Sequence, residues 1–363
     1  MTCRAKRASC VIVALFAAML PCRAQTARPD AGTIRADANT IKVQQVRRSV
    51  FMLVGDGANI TVQTELPPGE ESFDSVYGGD NGIVVIDTGT APLSDALLAT
   101  IRQLSKGPLR YIVNTSAGSD HVGGNPALAK ASSGVVRAAQ GGRPATAPLM
   151  ILAHETVLEH VSAPTGKQAA IAIEGWPSDV FAGDKELFIN GGSIKIYHQP
   201  GAHSDGDAIV YLRKSDVIAA GEIFSTANFP RFDPAEGGHI QGIIDGLHRI
   251  LEIAIPGEKE QGGTMIVPAH GRLSDEADVE FYREMVQIVS DRVADGVRNG
   301  KTLDQVKASR PALEYDRRYS KPEWTADMFI EAIYKDLSGA TKSAANAKPT
   351  DNRAPGPARG TGK

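Results

Sequence analysis

Asn114-Thr115-Ser116-Ala117-Gly118-Ser119-Asp120-His121-Val122-Gly123-Gly124-Asn125 follows directly on the apolar run Tyr111-Ile112-Val113. A β-branched run that breaks into a turn rich in Gly and Ser reads as a strand whose end delivers a loop to the rim of a sheet. Asp120 and His121 stand side by side in that loop. Imidazole and carboxylate together are the donor set of zinc and related ions. Rim loops carry sites because a rigid scaffold fixes their direction.

Three further constellations repeat the pattern. Pro200-Gly201-Ala202-His203-Ser204-Asp205-Gly206-Asp207 lies between two apolar runs. Ala220-Gly221-Glu222-Ile223-Phe224 ends one run, and Ile266-Val267-Pro268-Ala269-His270-Gly271 ends another. Around them β-like and helical stretches alternate. Strands are expected at Val50–Val54, Asn59–Val62, Gly82–Asp87, Leu187–Ile189, Ser193–His198, Ala208–Leu212 and Val217–Ala220. Leu93, Leu97, Ile101 and Leu104 recur on one helical face. Further helices are expected at Ile151–His160, Gly242–Ala254, Glu276–Val297, Leu303–Ala308 and Ala326–Leu337, and a loop over Ser132–Pro148. Such a mixture argues for a layered α/β domain.

The order and spacing of these motifs resemble the metallo-β-lactamase superfamily. That family carries H-x-H-x-D-H after a strand, then a His in a tight turn, a bridging carboxylate, and a final His in a Pro-Gly-His-Gly-like turn; Asp87-Thr88-Gly89 resembles its early Asp-Thr-Gly turn. The likeness runs from about Val50 to Arg272, with a helical C-terminal extension to about Leu337. It implies an α/β fold, a four-layer αββα metallo-β-lactamase sandwich. It also implies metal ligands at Asp120, His121, His203, Glu222 and His270, and catalytic roles for Asp120 (ligand and water orienter), Glu222 (ligand or base) and His203 (electrophilic support).

The departures from the family pattern bear on the metal count. Aligned on Asp120-His121, the two leading histidines are replaced by Ser116 and Gly118. The site implied for the first metal keeps only His203, whereas the second keeps Asp120, His121 and His270 with Glu222 as a shared carboxylate. A catalytic zinc typically takes three protein ligands and an open water position. One zinc-like ion is therefore expected rather than two. Ser116 and Ser119 fill the space of the missing histidines, since neutral hydroxyls bind zinc weakly.

Composition bounds the setting. Arg4, Lys6 and Arg7, the apolar run Cys10–Leu20 and the small residue Ala24 have the layout of a secretory signal peptide over residues 1–24. The run is too short to cross a bilayer core of about 30 Å. Residues 25–40 read as a linker, 41–338 as the domain and 339–363 as a disordered tail rich in Ala, Gly, Pro and Lys. Cys3, Cys10 and Cys22 all fall in the leader, so disulfides and Cys-ligated zinc are excluded from the remainder; lipidation at Cys22 is a minor alternative. Losing that leader, with its four cations and no acids, takes the net charge from −3 to about −7. An acidic chain disfavours nucleic acid and acidic membranes as partners. The expectation is an exported, periplasmic or secreted hydrolase acting on a small molecule. The alternative is a catalytically weak or inactive relative that has lost the first metal site and uses the same cleft for binding.

The remaining histidines read as structural. His154 and His160 are six apart, a spacing that puts them on different faces of a helix, and His154-Glu155 lacks the second His of a helical zinc pair. His198 precedes a proline turn, His248 lies within a helical stretch, and His239 follows Gly237-Gly238 in a turn that the resemblance places near the site.

Overall fold

The computed structural model describes residues 40–66, 81–133, 148–162, 170–259 and 262–346. The expected leader, most of the expected linker, most of the loop over Ser132–Pro148 and the last part of the tail lie outside these residues.

Two sheets form the centre. The first has seven strands in sequence order, β1 (Lys42–Arg47), β2 (Val50–Val54), β3 (Ile60–Gln63), β4 (Ile83–Ile86), β5 (Leu109–Val113), β6 (Met150–His154) and β7 (Asp179–Phe181). Strands β1 to β4 pair antiparallel, and β4 to β7 pair parallel. The second sheet runs β12-β11-β10-β9-β8, built from β8 (Lys185–Ile189), β9 (Gly192–His198), β10 (Ala208–Leu212), β11 (Val217–Ala219) and β12 (Met265–Val267). Only the β11–β12 pair in it is parallel.

The central strands β3, β4, β10 and β11 are buried on both faces, and the period of two sorts their side chains between two cores. Val84 and Ile86 of β4 meet Ala208, Val210 and Leu212 of β10 in the core between the sheets. Ile83 and Val85 point the other way, onto Leu97 and Ile101 of α1 (Ser94–Leu104) and Leu128 of α3 (Asn125–Ser133). Ile209 and Ile218 of the second sheet pack against α5 (Ile240–Ile253) and α6 (Glu276–Arg298) through Ile243, Leu247, Met285 and Val289. The layers are therefore helix, sheet, sheet, helix. Two short helices, α2 (Ser119–Val122) and α4 (Glu155–Val161), follow β5 and β6. The chain then adds α7 (Leu303–Ala308), α8 (Leu313–Tyr319) and α9 (Ala326–Asn346). Among the described residues no helix is long and apolar enough to cross a membrane.

Two local expectations change. Ile151–His160 is not one helix: its first half is β6, paired parallel with β5 and β7, and only the second half is α4. Ile151, Leu152 and Ala153 are all buried, and a strand covered on both faces carries no alternation to separate it from a buried helix. The C-terminal helix passes Gly339 and ends at Asn346, because Ala340, Ala344 and Ala345 extend an existing helix at little cost.

Candidate metal centre and active-site cleft

Every constellation singled out in the sequence emerges at one rim of the sandwich, on the segments that follow β4, β5, β9, β11 and β12. Asp87 closes β4 with a positive φ of 60°, a conformation that Asp tolerates better than most side chains. Its carboxylate accepts hydrogen bonds from the Thr115 backbone N–H at 2.8 Å and the Thr115 hydroxyl at 2.6 Å. It thereby ties the end of β4 to the loop after β5. Thr88 and Asn125 brace the other side of that loop: the Thr88 N–H and hydroxyl both donate to the His121 carbonyl, at 2.8 and 3.0 Å. Asn125 donates to the Asn114 side-chain oxygen at 2.8 Å. Gly221, at φ 54°, lets the Glu222 turn pass under Thr115, since a Cβ there would lie 2.9 Å from Thr115 Cβ.

His121 is fully buried and flanked by two carboxylates. Its Nδ1 donates to Asp87 at 2.9 Å and its Nε2 to Glu222 at 2.8 Å. Burial opposes a charge on the ring, but Asp87 and Glu222 outweigh it and hold the His121 pKa well above the ordinary value. Glu222 also accepts from His270 Nε2 at 3.0 Å, and Asp120 lies 3.7 Å from that same nitrogen. Burial disfavours the Glu222 charge, yet His270 and His121 reverse the balance and its carboxyl sits well below the usual range. The His270 pKa is raised against burial, chiefly by Glu222.

Asp120, Glu222 and His270 each bring one donor atom to within 4.8 Å of the others. One nitrogen and two carboxylate oxygens at that spacing are a donor set that fits one zinc-like ion. His121 and His203 stand outside this triad. His121 touches it through Glu222. His203 lies on the same cavity wall, its Nδ1 3.8 Å from Asp207 and without a hydrogen-bond partner. Burial works against the His203 charge, but the neighbouring Asp207 and Glu222 push its pKa up to about 9. Asp207 is itself fixed by the Ser204 N–H at 2.8 Å and the Ser204 hydroxyl at 3.0 Å. Ser116 is buried, and its hydroxyl accepts a long 3.4 Å contact from the Gly118 N–H.

The cavity above the triad measures about 350 Å³. Besides the expected side chains it is lined by Asn228, Arg231, Lys321 and Glu323, which the sequence reading did not single out. The other histidines are structural. His239 caps α5 by accepting from the Gly242 N–H at 2.9 Å, rather than facing the cleft. His154 caps α4 and stacks on His198 with ring centroids 3.7 Å apart. His160 bonds Asp205 at 3.1 Å.

Residues 69–275 match the metallo-beta-lactamase superfamily, and the chain belongs to that family. The sandwich, the helical C-terminal region and the rim position of the ligand-type residues accord with that membership. The fold is similar to that of the stereoselective inverting sec-alkylsulfatase Pisa1 from Pseudomonas sp., at 17% identity and a TM-score of 0.56. That likeness covers 86% of this chain and 53% of Pisa1, so the chain spans about half of that protein. A metallo-beta-lactamase from Pontibacter korlensis is also similar, with 18% identity, a TM-score of 0.48, and coverage of 68% of this chain and 99% of that one. No curated protein matches the chain in sequence.

Proposed function

We propose that the protein is an exported hydrolase that uses one zinc ion, held by Asp120, Glu222 and His270, to cleave a small ester, lactone or amide-type substrate. The observation that carries this reading is the convergence of those three donors within 4.8 Å at the floor of a cavity of about 350 Å³. The members of the superfamily are generally hydrolases, and a bound zinc ion supplies Lewis acidity and lowers the pKa of water to about 7.

The chain's own residues supply the rest. His121, clamped between Asp87 and Glu222, fixes the carboxylate that faces the cavity. Glu222 stays ionised, which suits a metal ligand, whereas a carboxyl held so far below the usual range is a weak acceptor of a proton from water. Asp120 is partly exposed and faces the cavity, where it orients the attacking water. His203, which lines the same cavity, donates a hydrogen bond to the oxygen on which negative charge develops. The leader over residues 1–24 supports export, and a periplasmic or secreted location follows from it.

Elemental analysis of the purified chain after zinc loading tests the proposal, beside Asp120→Ala and His270→Ala variants. The expected result is about one zinc per chain, with affinity reduced by at least 100-fold in both variants and ester hydrolysis lost with the metal. A wild-type chain that retains no zinc overturns the mechanism and leaves a binding protein built on the same cleft, the reading that the loss of histidines at Ser116 and Gly118 favours.

A further inference from the structure

We infer that Asn59 is the positioning residue of His270: its side-chain amide grips the turn on both sides of that histidine and so sets where the imidazole meets Asp120 and Glu222. The consequence for metal binding rests on the reading of His270 as a ligand, while the clamp itself is a matter of this chain's own hydrogen bonds.

His270 lies three residues beyond Val267, the end of β12, in the turn Pro268-Ala269-His270-Gly271. Pro268 has no N–H with which to continue the ladder, and Gly271 takes a φ of 107° that other residues rarely adopt. Such a segment has no regular structure to fix a side chain, so its direction depends on where its carbonyls bond. All four are taken. Asn59 supplies three of the donors: its backbone N–H donates to the Ala269 carbonyl at 2.6 Å, and its amide donates to the Pro268 and Gly271 carbonyls at 3.0 Å each. The His270 carbonyl itself accepts from the Thr226 N–H at 3.0 Å and the Ser225 hydroxyl at 3.2 Å.

The two sets of donors come from different sheets. Ser225 and Thr226 follow Glu222 by three and four residues, so they tie His270 to the segment of its carboxylate partner, beyond β11. Asn59 immediately precedes β3 and belongs with the first sheet, as does β5, whose following loop carries Asp120. The loop that leads into Asn59 also rests on Asp120, since a Cβ at Gly57 would lie 2.9 Å from Asp120 Cβ. One ion held by Asp120, Glu222 and His270 therefore needs two sheets kept in register to a fraction of an ångström. His121 makes one tie across them, through Glu222 at 2.8 Å, and Asn59 makes the other, to the turn of His270. Asn59 is only 7% exposed, so carbonyls deprived of its amide have little water to turn to and the turn must shift.

Two variants test the inference. Asn59→Ala keeps the backbone bond to Ala269 and deletes both amide bonds; Asn59→Ser leaves one short hydroxyl, which cannot serve two carbonyls. Ile101→Ala, a truncation in the core between α1 and the first sheet, is the control for lost stability alone, compared through melting curves. In zinc-free chains with carbon-13-labelled histidine, the His270 ring resonance, assigned with His270→Gln, is read at one fixed pH. It is expected to move or broaden in both Asn59 variants and to keep its place in Ile101→Ala. After zinc loading, competition with a chelator is expected to show affinity lowered about 10- to 100-fold in both Asn59 variants, and cobalt-loaded chains a changed visible absorption band. An unmoved His270 resonance in the folded variants overturns the inference. So does zinc affinity equal to that of the wild type, or a loss that Ile101→Ala reproduces. A wild-type chain that retains no zinc, but whose His270 resonance responds to Asn59 as expected, fails the hydrolase reading alone.

Discussion

The two halves of the cleft were built to the same family plan and now differ sharply. In one half Asp120, Glu222 and His270 converge, and behind them His121 bridges Asp87 and Glu222 at 2.9 and 2.8 Å. In the other, Ser116 and Gly118 stand where the family has histidines, and His203 presents a buried Nδ1 with no hydrogen-bond partner. The retained half is wired into the scaffold. Asp87 bonds the loop after β5, His121 bonds the Glu222 turn, and the His121 carbonyl is held by Thr88. Side chains there support the fold as well as the site, whereas those of the depleted half touch little that the fold requires. A ligand that doubles as a strut is costly to lose; one that only faces the cavity can be replaced by a small residue that fills its space.

The largest effect that follows is at Asp87. Replacement by Asn keeps the shape and tolerates the positive φ, but removes the charge that holds the buried His121 ring. Breaking a buried ion pair of this kind costs about 3 kcal/mol. Urea unfolding of Asp87→Asn is expected to show that loss, together with weaker zinc retention, because Glu222 loses a fixed neighbour. A variant within about 0.5 kcal/mol of the wild type, the range of an ordinary surface substitution, would break the comparison by showing that His121 needs no support.

The four rim constellations were legible in the sequence because each pairs a strand signal with a turn signal and a ligand-type residue. The layered fold was legible for the same reason: the motifs gave the order of the strands that carry them. Three things were not. The strand β6 was hidden because its consecutive buried residues Ile151, Leu152 and Ala153 carry no period. The strut role of His121 was hidden because adjacency to Asp120 signals a ligand, while its contact with Asp87 spans 34 positions and exists only once β4 and β5 pair. The Arg231–Lys321 wall was hidden because it depends on Trp324 docking against Pro230, a tertiary contact without a local motif. The sequence signal for it was a Trp close to a Lys in the helical extension, which is too common a pairing to single out.

The comparison can be sharpened by rebuilding the depleted half. Gly118 has an extended backbone that any residue adopts, although a Cβ there would come within 3.0 Å of Asp120 Oδ1 and 3.2 Å of the His121 ring. A Ser116→His/Gly118→His double variant is expected to raise the zinc content from about one to about two per chain, since two imidazoles beside His203 complete a three-ligand site. Elemental analysis after dialysis reads the change. A stoichiometry that stays at one would mean that the buried Ser116 position has closed around its small side chain and that this half is no longer a latent site.

The smallest effect is expected at His203, and it separates a residue that acts on the substrate from one that holds the metal. His203 lies on the cavity wall but outside the donor triad, and its nearest charged neighbour is Asp207 at 3.8 Å. His203→Ala is therefore expected to leave zinc content and stability close to the wild type. Its kcat on a neutral aryl ester should fall by about tenfold, the loss of one modest hydrogen bond to developing charge, with little change in KM. Loss of zinc in this variant would place His203 among the ligands and join the two halves of the cleft into one centre. An unchanged kcat would leave the depleted half without a part in the chemistry, so that Asp120, Glu222 and His270 carry the reaction alone.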